Sequence, residues 1–577
     1  MTTPRKKMIN DPDVLIEQLI DGMVSAHPHL LTVEGETGRA IVARNGPRDG
    51  KVGIVVGGGS GHEPAFAGYV GRGLADAAPL GNIFASPSPS QIMDAGFAAD
   101  GGAGVVFLFG NYTGDVMNFA MATEGLAEQG ITARSFVVTD DIASAPKENA
   151  QDRRGIAGDF FVFKVAGAAA DLGHTMEEVE KAAARANNAT RTMGVALSPC
   201  TMPQTGVANF ELPVGEMEIG MGIHGEPGVE RGPAASADEV ADKLLAPILE
   251  ELALGSGDKV AVLVNGLGST SLLELYILHR RVAQVLDGQG VVIHNSWVGE
   301  YCTSLDMEGA SITLMKLDDG LQTWLDHPCE TPALKVGEHT ERAAPTIRTP
   351  RAKAQKTART VVDRGSLKTD GDITPDIFRK MMAASVSVIQ TERDHLNALD
   401  GAIGDGDHGL TMEMGWKAVQ SVLEESDEST TITELCDDIA EAFLETVGAS
   451  AGPLYSSGFR AAGAAVSDRL NLDAQALASL IAGMSAGIRE RGGASVGQKT
   501  MVDAWGPAGD AALGSLASSS ACLNAAAKAA SNGALGTKDM LSQMGRSKKL
   551  GERSRGHIDP GAASAAMLLK AWAEVIS

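Results

Sequence analysis

The feature that most constrains this chain is a change of texture partway along it. In the first part, strand-length apolar runs (Val52–Val56, Val105–Phe109, Val260–Val264) alternate with amphipathic stretches such as Glu177–Ala186 and Ala237–Glu251. Each of the three runs ends in a glycine-rich loop: GGGSGHEP, GNYTGD and NGLGSTS. Strands alternating with helices build an open α/β sheet, and ligands bind such sheets at the strand ends. Beyond Ser366 the strand-like runs nearly vanish. Alanine-rich amphipathic segments take over at Asp376–Asn397, Gly415–Glu425, Ile432–Val447, Ala474–Arg491, Gly506–Ala517 and Ala562–Ile576. Helix-length apolar spacing with short connections predicts an all-α bundle.

Between these textures, residues 336–368 carry two prolines, few apolar residues and a local excess of Lys and Arg. That composition reads as a solvated basic linker, with an arm for an acidic partner as the alternative. The expected organisation is an α/β domain over 1–335, the linker over 336–368 and an all-α domain over 369–577. A length of 577 residues exceeds what one hydrophobic core supports.

The formal charge of −25 argues against broad binding to nucleic acid or anionic membrane. Any phosphate must therefore be held locally, by backbone amides or metal ions. The five cysteines are scattered, with no CxxC pair, as expected of a reduced cytoplasmic protein. The N-terminal MTTPRKKMINDP lacks the apolar core of a secretory signal, and no apolar run reaches membrane-span length.

In the helical half the strongest local signal is DGAIGDGDHG, which places Asp400, Asp405 and Asp407 on a glycine-rich turn after a long helix. Three convergent carboxylates repel one another unless a cation neutralises them, and hard oxygen ligands suit Mg²⁺ or Ca²⁺. A solvated Asp-Gly turn is the bland alternative. Three further small-residue stretches mark other helix ends. VGASAGPLYSSG offers backbone amides and Ser450 to a phosphate, RGGASVGQKTMVDAW carries Lys499 and Thr500, and GRSKKLGERSRGHIDPGA carries Arg546.

Taken in order and spacing, GDGDHG, GPLY, GxKTMxD, GER and DPGA resemble the ATP-binding domain of the dihydroxyacetone kinase family. The resemblance implies a barrel of eight helices with ATP at one end. It also implies two Mg²⁺ ions on Asp400, Asp405 and Asp407. Nucleotide contacts are implied for His408, Gly409, Leu410, Thr411, Ser450, Ala451, Gly492, Met501, Arg546, Asp559, Pro560 and Gly561. The chain departs from the family pattern at Gln498, where Asp is usual, and at Lys548 and Lys549.

In the first half GGGSGHEPAFAGYVG, NYTGDVMNF and GIHGEPG resemble the ketose-binding domain of the same family, which implies two α/β subdomains. There the family anchors a ketose as a covalent hemiaminal on the histidine of IHGEPG, here His224. A neutral imidazole is a competent nucleophile toward a ketone carbon, so the chemistry is sound. His62 would assist as acid or base, and Asp115 would act as general base toward the γ-phosphorus. Gly59, Ser60, Gly61, His62 and Asp115 would line the substrate. The competing readings are a turn histidine, a Gly-Asp turn cap and a Rossmann phosphate loop.

Many family members carry Lys before NYTGD, and this chain carries Gly110. The expected consequence is extra space beside Asp115 and room for a longer ketose such as erythrulose. The expected function is ATP-dependent phosphorylation of a short ketose by a cytoplasmic homodimer, in which the nucleotide domain reaches the partner's sugar site. The alternatives are cleavage of FAD to a cyclic flavin phosphate and a ketose sensor without catalysis.

Overall fold

The computed structural model describes residues 7–338, 364–404, 406–427 and 429–576. Most of the expected linker, together with Asp405, lies outside the described residues. The chain divides into two compact units, Met1–Thr346 and Ile347–Ser577.

The first unit holds two large sheets and, near its end, a two-stranded ribbon of Cys329–Glu330 with Lys335–Val336. The first sheet is formed by β1 (Leu31–Glu34), β2 (Ala40–Ala43), β3 (Gly53–Val56), β4 (Gly58–Ser60), β5 (Ala77–Ile83), β6 (Val105–Gly110) and β7 (Ala133–Val138). Its order is β1-β2-β5-β3-β6-β7, with β4 beside β5, and strands β5, β3, β6 and β7 run parallel. The second sheet uses β8 (Thr190–Ser198), β9 (Glu216–Ile219), β10 (Glu230–Pro233), β11 (Lys259–Gly266), β12 (Val292–Gly299) and β13 (Glu308–Leu317). Its order is β10-β9-β8-β13-β11-β12, and only β11 and β12 pair in parallel.

Strand periodicity sorts the side chains between cores. In β6, Val105, Phe107 and Phe109 face a core shared with Ile92, Ala95, Phe119 and Leu126. Val106 and Leu108 face the opposite core, which holds Phe160, Phe161 and Val165. In β11, Val260, Val262 and Val264 pack with Leu244, Ile248, Leu278 and Val282. Ala261 and Leu263 point the other way, into the core that also covers the first sheet. The two sheets therefore share one core, and the loops at their junction are held by both.

The second unit is helical. Eight α-helices, α1 (Pro375–Gly401), α2 (His408–Glu425), α3 (Ile432–Thr446), α4 (Ala451–Ala464), α5 (Ala474–Gly492), α6 (Val502–Leu513), α7 (Ser519–Gly536) and α8 (Pro560–Val575), are found among the described residues. Each packs on the next, and α8 packs on α1, which closes the ring. The interior is built from Trp416, Phe443, Tyr455, Trp505 and Trp572 set among many alanines. The stretch VGASAGPLYSSG, expected to mark a helix end, starts α4 at Ser450 and Ala451, and GPLYSSG continues into that helix, where its glycines admit close neighbours. A Cβ on Gly452 would lie 1.9 Å from the Val447 carbonyl oxygen, and one on Gly458 would lie 2.8 Å from the Met484 sulfur. Helix α7 was absent from the expected set, since its run of Ala and Ser shows little apolar contrast.

Candidate functional site

The glycine-rich loop after β3 is pressed between aromatic rings and backbone. A Cβ on Gly57 would come within 2.9 Å of Phe119, one on Gly58 within 2.4 Å of Phe66, and one on Gly59 within 2.6 Å of the Ala85 nitrogen. Gly61 has φ +100°, a conformation that glycine adopts at little cost. The Ser60 hydroxyl donates to the Gly81 carbonyl at 2.8 Å, and the Gly61 amide donates to Glu63 at 3.1 Å. The glycines thus serve close packing, and the loop sets His62 at the junction of the two sheets.

His62 is 1% exposed. Its Nδ1 lies 2.7 Å from the Thr303 carbonyl, and its ring stacks on Phe84 with centroids 4.9 Å apart. A carbonyl can only accept, so Nδ1 carries the ring proton and Nε2 presents a lone pair. That Nε2 lies 3.0 Å from Nε2 of His224. Burial first, and then the neighbouring His224, push the His62 imidazole down to about 3, so it is neutral at physiological pH.

His224 sits on the loop after β9, and Glu226 shapes that loop. One Glu226 oxygen accepts the His224 amide at 3.0 Å, and the other lies 3.2 Å from His224 Nδ1. Behind Glu226 stands buried Arg154, 3.7 Å away, which donates through Nε to Asp141 at 2.8 Å. The Tyr112 ring meets His224 edge-on at 4.7 Å. Glycine at 222 leaves room for this pair, since a Cβ there would lie 2.1 Å from the Glu226 carboxylate and 2.3 Å from the Arg154 guanidinium and would displace them. Sequence reasoning missed Glu226, Arg154 and Asp141. The glutamate lay in plain view inside HGEPG, but its partners are distant in sequence.

Asp115 is buried in the first turn of the helix Thr113–Glu128. Nearby Asp159 is raised well above the carboxylate range by burial, then by Asp140 and Asp115. The wider space expected at Gly110 is not found there. A Cβ at that position would lie 3.0 Å from the Gly155 oxygen and 3.1 Å from the Tyr112 ring, so backbone and tyrosine fill it.

In the helical unit, Asp400 closes α1, and its carboxylate accepts the amides of Asp407 at 3.0 Å and His408 at 3.3 Å. Burial, then Asp400, push the Asp407 carboxyl up to about 7. A buried carboxylate, Asp400, beside a half-buried one, Asp407, is a donor set that a hard divalent cation fits. Among the described residues no group of three potential ligands gathers, and Asp405 lies outside them. His408 Nε2 meets the Ser564 hydroxyl at 2.9 Å, and the Leu410 amide donates to Asn397 at 3.1 Å. Gly409 is buried and Thr411 follows it in the first turn of α2.

Asp559 caps α8 through the Ala562 amide at 2.7 Å, with Pro560 and Gly561 in the first turn. It is raised to about 7 chiefly by burial, with Asp400 among the charges acting on it. The acidic end of α1 and the start of α8 thus share one pole of the ring. A Cβ on Gly561 would touch Met501 at 3.3 Å. Ser450 and Ala451 begin α4, and Gly492 ends α5. Arg546 opens a short 3₁₀ segment, and its side chain lies outside the described residues. The Gln498 side chain accepts the Ser495 amide at 2.7 Å, a local loop contact. Lys499 is buried with φ +61°, and its ammonium donates to the carbonyls of Thr537 at 2.6 Å and His557 at 2.5 Å.

Comparison with known proteins matches residues 21–333 to the Dak1 domain and residues 402–574 to the DAK2 domain. The chain is 39% identical to L-erythrulose 1-kinase of Mycolicibacterium smegmatis, over 98% of this chain and 99% of that protein. It is 36% identical to L-erythrulose kinase of Pectobacterium atrosepticum, over 99% of this chain and 96% of that one. The crystal structure of the dihydroxyacetone kinase from C. freundii in complex with AMP-PNP and Mg²⁺ is 31% identical, with a TM-score of 0.52 and 99% of each chain covered. With an α/β half and a helical half joined on one polypeptide, and relatives of this kind along its full length, the chain belongs to the dihydroxyacetone kinase family as a single-chain ketose kinase.

Proposed function

We propose that this protein transfers the γ-phosphoryl group of ATP to a hydroxyl of a short ketose, dihydroxyacetone or a tetrulose such as erythrulose, while His224 holds the ketose as a hemiaminal. The observation that carries this reading is the buried pair of imidazoles whose Nε2 atoms converge at 3.0 Å. One of them, His62, is a neutral base facing the nitrogen that would attack. A carbonyl anchor selects ketones and aldehydes and rejects polyols. Gly59, Ser60 and Gly61 shape the pocket wall. Asp115 would take the proton from the reacting hydroxyl, the step in which a positioned carboxylate most helps phosphoryl transfer.

The helical pole would take the nucleotide. Asp400, Asp405 and Asp407 would hold Mg²⁺, two ions on this reading, which neutralises phosphate charge when bound. His408, Gly409, Leu410, Thr411, Ser450, Ala451, Gly492, Met501, Arg546, Asp559, Pro560 and Gly561 would contact the nucleotide. The names of the relatives favour a tetrulose over a triose. A cytoplasmic homodimer completes the reading.

An ADP-release assay with Mg-ATP against dihydroxyacetone, glyceraldehyde, D-erythrulose and L-erythrulose tests the proposal, with His224→Ala as control. One ketose is expected to turn over and to lose that turnover in the control. Retained turnover in His224→Ala would remove the covalent anchor. Product from FAD alone would favour the cyclase, and no turnover at all would favour a sensor.

A further inference from the structure

We infer that Asp159 is a specificity-determining residue of the ketose site, which takes the additional hydroxyl of a four-carbon ketose and so favours it over dihydroxyacetone. The inference rests on the ketose-binding reading above and deepens it, by naming the side chain that tells one ketose from another. It starts from an acid with nothing to hold in the free protein. Asp159 opens the helix Asp159–Asp171 and is 4% exposed. Its Oδ1 is buried and meets no hydrogen-bond partner among the described residues.

The other acids of the same loop are employed. Asp140 accepts the amides of Ile156 and Gly158, each at 2.8 Å. Asp141 accepts from Arg154, which also donates to the Gly220 carbonyl at 3.0 Å and faces Glu226. That guanidinium is therefore spent, and the charges that act on Asp159 are two further acids, Asp140 and Asp115. An unpaired buried oxygen weakens the fold, and an apolar side chain of similar size would serve the free protein at least as well. The use of Asp159 lies in what it binds.

Its place says what that is. Oδ1 lies 2.7 Å from where a Cβ on Gly155 would be, and that same point is 2.5 Å from the Cα of Gly110. The carboxyl thus reaches the turn between β6 and Asp115 because residue 155 is glycine. On the other side of Gly110 stands Tyr112, whose ring would be 3.1 Å from a Cβ there and meets His224 at 4.7 Å. The Tyr112 hydroxyl is a second buried polar atom without a partner among the described residues, and Asp159 is one of the charges acting on it. A path therefore runs from His224 along Tyr112 to Asp159. A ketose one carbon longer than dihydroxyacetone, anchored at His224 and presenting one hydroxyl to Asp115, has one further hydroxyl to place along it. Burial and the neighbouring acids keep the Asp159 carboxyl protonated, so it can both donate to that hydroxyl and accept from it. With dihydroxyacetone bound the carboxyl stays unpaired, which is how a site built for a hydroxyl rejects the analogue without it.

Equilibrium binding of dihydroxyacetone, D-erythrulose and L-erythrulose to the full-length protein, measured by calorimetry without ATP, tests this. One erythrulose enantiomer is expected to bind about 10- to 100-fold more tightly than dihydroxyacetone, the size of a buried hydrogen bond made against one left open. Asp159→Val and the smaller Asp159→Ala both remove the oxygens. Either variant that folds should cut the preference to within about threefold. Asp159→Val should also melt no lower than wild type, a readout that a merely structural acid would reverse. Asp159→Asn keeps a donor and an acceptor in the same place and should retain most of the preference. Equal affinity for the three ketoses in the wild type would overturn the inference. So would a preference that survives removal of the oxygens, or one lost as fully in Asp159→Asn. The kinase reading stands or falls separately on ADP release, since absence of turnover would remove that reading while the binding preference still decides the role of Asp159.

Discussion

Lys499 offers the sharpest test of how the pole of the helical ring that carries Asp559 is held together. It adopts φ +61°, where a residue with a Cβ is strained by about 1–2 kcal/mol, yet the position is not glycine. The side chain must return more than that. Its buried ammonium reaches the carbonyls of Thr537 and His557 and so ties the loop before α6 to the segment leading into Asp559. Two charge-assisted bonds contribute about 1.5–3 kcal/mol each, less the cost of burying the ammonium, which leaves about 2–4 kcal/mol net. Lys499→Met should therefore destabilise the helical unit by about 2–4 kcal/mol. That lowers its melting temperature by about 4–16 °C for a unit of this size. Lys499→Gly loses the same bonds but relieves the backbone, so it should recover about 1 kcal/mol. Tryptophan fluorescence follows this unit through buried Trp416, Trp505 and Trp572. A glycine variant as unstable as the methionine variant would refute the claim that the side chain offsets strain. A methionine variant as stable as wild type would refute the clamp itself.

Gly222→Ala should push Glu226 and Arg154 apart and cost about 1–3 kcal/mol of stability; ketose KM should rise at least about tenfold in steady-state kinetics with ATP KM unchanged. Asp407→Asn should weaken Mg²⁺ binding, seen as a rise in the Mg²⁺ concentration for half-maximal turnover, while ketose KM stays put. At the other extreme of pH, Asp171 is held at about 2 despite burial by the hydrogen bond from His327 and by Arg48. A folded value below the ordinary one means that its contribution is full at neutral pH and is lost as pH falls from about 4 to about 2. Acid titration of Asp171→Asn should show a shallower fall in stability across that window than wild type.

The two-part architecture was legible because it is written in periodicity. Runs such as Val105–Phe109 have no polar interruption, as a strand covered on both faces requires, and the burial of β6 between two cores is the physical counterpart. The segments Ala474–Arg491 and Ile432–Val447 announced helices to within a residue or two of those found. Helices α4 and α7 escaped because glycine, alanine and serine carry little apolar contrast, and their stability comes from neighbours packed close enough to exclude a Cβ. At the junction of the two large sheets, the paired His62 and His224 were visible through their motifs. The support behind them was not, because Arg154 is 70 residues upstream of His224 and nothing local marks it as a partner. Gly110 shows the opposite failure. A missing side chain suggested a void, but Gly155 is also glycine and its backbone moves into the space.

The closed ring of helices has a topological consequence. Helix α1 is 27 residues long, about 40 Å at 1.5 Å per residue. The Asp400 end lies beside the start of α8, and mid-helix Ser385 accepts from Trp572 near the other end of α8, so the two run antiparallel. The polypeptide therefore enters and leaves the ring at one pole, while the acidic turn occupies the opposite pole.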